Sequence, residues 1–78
     1  MSLHTSNSIA LARTNIGVAL DNAMSDVMRE PLREINALLK SGDIDSSAAL
    51  MDDTMEQCHD PLIRSHILKA YGYLQDIA

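Results

Sequence analysis

The chain has 78 residues, six Lys plus Arg against eleven Asp plus Glu, a formal net charge of −5, two Tyr and neither Trp nor Phe. At this size about 60% of the unfolded chain's surface is buried on folding, and a substrate cavity of roughly a few hundred Å³ would consume most of the core, which argues against an enzyme. The acidic balance argues against a general nucleic-acid binder, and a single cysteine, Cys58, excludes a disulfide-stapled secreted scaffold.

The first residues lack the basic and apolar segments of a signal peptide, and no run approaches the roughly 20 apolar residues of a membrane span, so a cytoplasmic protein is expected. Residues 1–7 are small and polar and read as a disordered leader ahead of one all-α domain over 8–78. Apolar residues then recur at helical spacing throughout, without period-two alternation, which predicts three or four helices in a helical-hairpin arrangement. The first is expected from Ser8 to Arg29. At about 100° per residue, Ile9, Ile16, Leu20, Ala23, Met24 and Val27 share a stripe. Pro31 interrupts the backbone ladder, and Leu32, Ile35, Leu38 and Leu39 centre roughly 80° away from that stripe, so the long helix is expected to break or kink at Glu30 and Pro31.

Ser41, Gly42 and Asp43 close the next segment, with Gly42 suited to the left-handed position after a helix. Asp45 is the expected N-cap of a third helix running to about Cys58. Asp60 followed by Pro61 has the signature of an N-cap and first helical residue, opening a last helix to about Asp76. The segment from Met24 to Leu32 also echoes Met51 to Leu62, each with a Met, an acidic stretch and a Pro-Leu pair. A duplicated helical unit and the shared period of two amphipathic helices both account for it.

Charge is unevenly distributed. Up to Lys40 four acids balance four bases, whereas six acids fall between Asp43 and Asp60 with no Lys or Arg among them. On the third helix Asp45, Asp52, Asp53 and Glu56, followed by Asp60, project within a sector of about 100°. Ordinary solvated surface accounts for such a face, as does a docking face for a basic partner. Cys58, His59 and His66 offer a weak set of zinc ligands, three at most unless Asp60 joins, without the usual ligand-pair spacing. His66 lies on the apolar face, where a hydrogen-bonded core histidine or a protonation switch is the competing reading. Cys58 and His59 are adjacent in sequence and poorly placed for a thiolate–imidazolium pair.

The methionines Met24, Met28, Met51 and Met55 form two i, i+4 pairs, suited to core filling or to an adaptable groove. Gly72 weakens the last helix on its polar side, and close contact with another subunit would explain it. A recognition helix would need a basic face, and the last helix offers only Arg64 and Lys69, so direct DNA reading is not expected.

Asp45, Ser46 and Ser47 resemble the phosphopantetheine serine of acyl carrier proteins over three residues. The hydrophobic residue after the serine and the long preceding loop are missing, and helix capping accounts for the same residues. The Ser41, Gly42, Asp43 turn is similar to one in small bacterial stress or biofilm regulators, and the small acidic helical build is similar to companions in bacterial secretion systems. Each resemblance covers a short stretch.

Together these features predict a small non-enzymatic interaction module without cofactor, a regulator or adaptor with an acidic helix face. It is expected to act as a homodimeric helical bundle joined through the apolar stripe Ile9, Ile16, Leu20, Ala23 and Val27. The alternatives are a companion covering an amphipathic helix of its partner, or a metal-responsive protein using Cys58, His59 and His66.

Overall fold

The computed structural model describes residues 3–77. Four helices account for most of them: α1 Leu3–Asn22, α2 Asp26–Ser41, α3 Ile44–Gln57 and α4 Pro61–Gln75. Their inward residues follow one rule. The seams are Ile9, Ala12, Ile16, Ala19 and Ala23 on and just after α1, Leu32, Ile35 and Leu39 on α2, Ser47, Met51, Thr54 and Cys58 on and just after α3, and Ile63, Ile67, Ala70 and Leu74 on α4, with Ser8 and Met55 buried beside them. Spacing alternates between three and four residues in every case, which keeps each inward seam facing its neighbours along the whole helix. α1 packs on α2 and α4, and α3 packs on the same two, with no close backbone approach across either diagonal among the described residues. The result is a bundle-like all-α fold around one apolar core, about 35 Å long and 19 Å wide.

The most extensive contact is between α1 and α4. Ala12 and Ala19 on the inward seam of α1 and Ala70 on α4 are fully buried; small side chains let the two backbones come close. The two buried hydroxyls on α3 are satisfied locally: Ser47 Oγ donates to the Asp43 carbonyl at 2.6 Å and Thr54 Oγ1 to that of Leu50 at 2.7 Å. No helix among the described residues is long and apolar enough to cross a membrane.

The first helix differs from expectation at both ends. It already runs from Leu3, so residues 3–7 of the expected leader are helical, while Met1 and Ser2 lie outside the described residues. Ser8 and Ile9 are buried, and that anchored turn supports another turn before it. At the other end the chain turns at Ala23, Met24 and Ser25, not at Pro31. Ser25 is the N-cap of α2, extended in backbone, its hydroxyl accepting the Met28 N–H, and Asp26 sits favourably in the first turn. Arg29 reaches back and donates to the Leu20 and Ala23 carbonyls at 3.0 and 3.3 Å, closing the last turn of α1. Pro31 stays inside α2, where its missing N–H deprives only the Val27 carbonyl of an i+4 donor. The change of apolar face therefore arises from the turn at residues 23–25.

The remaining junctions are local. Gly42 is left-handed (φ 83°), and the N–H groups of Gly42 and Asp43 bond to the Leu39 and Leu38 carbonyls. The N-cap of α3 is Asp43 rather than Asp45: its carboxylate accepts the Ser46 N–H at 3.2 Å, because α3 begins directly after the glycine turn. Asp60 caps α4 as expected, accepting from the Leu62 and Ile63 N–H groups, with Pro61 first. These positions also dissolve the echo between the two halves. Met24 lies in a turn and is exposed while Met51 is buried within α3, and Pro31 is inside a helix while Pro61 starts one.

Candidate functional site

The outward face of α3 is built by the same periodicity that builds its seam. With Ser47, Met51, Thr54 and Cys58 turned inward, Asp45, Asp52, Asp53 and Glu56 are all exposed on the opposite side. Among the described residues none of these four carboxylates carries an ion pair, and the helix has no Lys or Arg. Asp52 and Asp53 stand at i, i+4 and i, i+3 from Glu56, so the charges repel one another along the helix surface. Asp43 and Asp60, at the two ends of the acidic run, have structural duties as caps. The acidic surface expected from the sequence therefore divides into four unpaired carboxylates and two that hold helix starts, Asp60 among the latter.

Beside this face runs a groove of about 270 Å³ between α2 and α3, lined by Val27, Met28 and Pro31 on one wall and Leu50, Asp53, Thr54 and Gln57 on the other. Val27 is 80% exposed and Met24, in the turn before α2, 96%. Two of the three acids of α2 are set apart from its bases, while Asp26 in the first turn lies about 20° from Arg33. At about 100° per residue, Glu30 and Glu34 fall within roughly 60° of Val27, on the outer side next to the groove, whereas Arg29, Arg33 and Lys40 lie on the flank toward α1. Arg29 spends its donors on α1 carbonyls. Arg13 of α1 donates to Asn36 Oδ1 of α2 at 3.2 Å, and Arg13 and Lys40 line a recess of about 240 Å³ on that flank.

The apolar stripe expected to join two copies is mostly spent inside one chain. Ile9, Ile16 and Ala23 are buried and Leu20 is partly buried against the core, because α4 and α2 together cover α1. Val27 lies beyond the turn, on another helix, and faces outward. The methionines divide likewise: Met51 and Met55 fill the core, Met28 packs at its edge and Met24 is exposed.

Cys58, His59 and His66 do not converge. The Cys58 thiol is buried and faces the Asp60 carbonyl at 3.5 Å, His59 is exposed, and half-buried His66 places Nδ1 3.1 Å from Oδ1 of Asn15, joining α4 to α1. No group of three or more His, Cys, Asp or Glu among the described residues is arranged to hold a metal ion. Ser47 is buried and bonded to Asp43, which leaves a carrier-type role no accessible serine there except Ser46. Gly72 is exposed, and a Cβ on it would meet nothing within 4 Å, so no contact among the described residues requires the glycine.

Sequence reasoning missed Arg29 as the residue that ends α1, and it missed the groove, whose lining comes from two helices. The sole sequence signal for the first was Ser25-Asp26, a good helix start six residues before a conspicuous proline. Comparison with known proteins adds no family: no protein-family model matches the chain, and no curated protein or solved structure is significantly similar to it.

Proposed function

We propose that this chain is a small non-enzymatic interaction module, a regulator or adaptor that offers the outward face of α3 to a basic protein partner. The observation that carries the reading is the set Asp45, Asp52, Asp53 and Glu56: four exposed carboxylates on one helix, none of them in an ion pair among the described residues, flanked by capping carboxylates that add to the local field. Mutually repelling charges of this kind cost stability and are relieved by a cationic partner. The helical-hairpin pairing and the homodimer belong to the same reading. Self-association has lost the α1 stripe as its motive and rests on α4, where Leu62 and Leu68 are 50% and 59% exposed beside Arg64 and Lys69.

The test is capture from the native host on immobilised protein, wild type against an Asp45→Asn, Asp52→Asn, Asp53→Asn, Glu56→Gln variant. Partners that bind the wild type, elute as salt rises and are lost by the neutralised variant support the proposal. The same partners held equally by both proteins would refute it.

A further inference from the structure

We propose that the groove between α2 and α3 seats a basic amphipathic helix of the partner, an inference that rests on the interaction-module reading and names what that module would recognise. Two independent features meet here. The first is apolar: Val27, Met28 and Pro31 face Leu50 across the groove, and Val27 is 80% exposed. A scattered surface valine is ordinary, but one standing beside three other apolar side chains in a recess forms a patch. At about 270 Å³ the recess falls below the roughly 300–1,000 Å³ of enclosed small-molecule sites, and it suits the anchor side chains of a helix better than a whole ligand.

The second feature is electrostatic. Asp53 lines the groove on α3, and on α2 the exposed Glu34 and Glu30 lie about 20° and 60° beyond Val27, at the outer edge of its wall. The bases of α2 are turned to the far flank, so neither bank carries a positive charge. An apolar floor between two acidic banks is complementary to a helix with apolar residues at i, i+3, i+4 and i+7 and Lys or Arg on both sides of that stripe.

The probe is a synthetic peptide of about 18 residues, about 27 Å as a helix, with leucines in that register and lysines flanking them. Its control has the same composition scrambled to remove the periodicity. Titration calorimetry with the full chain is expected to detect binding with a negative heat-capacity change, weakened about tenfold or more by scrambling. Val27→Ser and Asp53→Lys are expected to weaken it about tenfold as well, with helical content unchanged because both side chains are exposed. Absence of binding, equal binding of the scrambled peptide, or indifference to both substitutions overturns the inference. So does sedimentation showing a dimer that Val27→Ser dissociates, since the occupant is then a second copy. If the peptide ignores Val27→Ser and scrambling but is lost on neutralising Asp45, Asp52 and Glu56, the groove falls and the acidic-face reading stands; capture by wild type and neutralised protein alike removes that reading itself.

Discussion

Two glycines lie within helices where nothing demands them. Gly17 on α1 and Gly72 on α4 do not have positive φ, and a Cβ built on either meets no atom within 4 Å. An alanine there adopts the same backbone without strain and lowers the conformational entropy of the unfolded chain, a gain of about 0.8–1 kcal/mol at each site. The two positions are on different helices and the added methyls have no neighbours to share, so the effects add to roughly 2 kcal/mol. In a domain of this length each kcal/mol raises Tm by about 4–8 °C, so the Gly17→Ala, Gly72→Ala double variant should melt about 8–16 °C higher. Thermal and urea unfolding followed by far-UV circular dichroism measure this, with the urea midpoint rising at constant slope. The reasoning fails if neither substitution stabilises. If Gly17→Ala stabilises while Gly72→Ala destabilises, the methyl on α4 meets an atom that belongs to no part of this chain, and sedimentation of the two variants should then reveal a weakened self-association.

The junctions yield three further expectations. Gly42→Ala forces a Cβ into the left-handed region at φ 83° and should cost about 1–2 kcal/mol in urea unfolding, with Gly42→Asn costing less. Arg29→Gln removes the donors that close α1 and should cost about 1–2 kcal/mol, whereas Arg33→Gln, exposed and without such bonds, should stay within about 0.5 kcal/mol; equal losses would remove the capping role. Asp60→Ala should cost about 1 kcal/mol by uncapping α4, while Asp53→Asn changes stability by less than about 0.5 kcal/mol and alters partner binding instead.

How much of this was legible in the sequence depends on the range of the forces involved. The C-terminal end of α2 and the start of α4 could be read directly, because Gly42 and the Asp60-Pro61 pair act on backbone groups within a few residues of themselves. The end of α1 could not. A proline is the loudest local signal in that region, but its cost is one lost hydrogen bond, and Ser25 together with a side chain from four residues beyond the turn outweighs it. Placing the break too late carried Met24 and Val27 into a stripe with Ile9 and Ile16, and so made an intramolecular seam look like an interface. The acidic face was visible because it needs only the period of α3. The groove was not, since its walls become neighbours only when α2 packs on α3.

α2 carries as many acids as bases, yet Glu30 and Glu34 stand on the side of Val27, whereas Arg29, Arg33 and Lys40 lie toward α1, with Asp26 in the first turn beside them. Added to the carboxylates of α3, this gives the molecule a transverse electric moment, negative over the groove and positive on the opposite flank near Arg13 and Lys40. A cationic helix diffusing toward the protein is attracted to one side and turned away from the other before any side chain touches. Salt should therefore slow the encounter more than it shortens the lifetime of the complex, and the apolar floor, which screening does not reach, should set how long the bound helix stays.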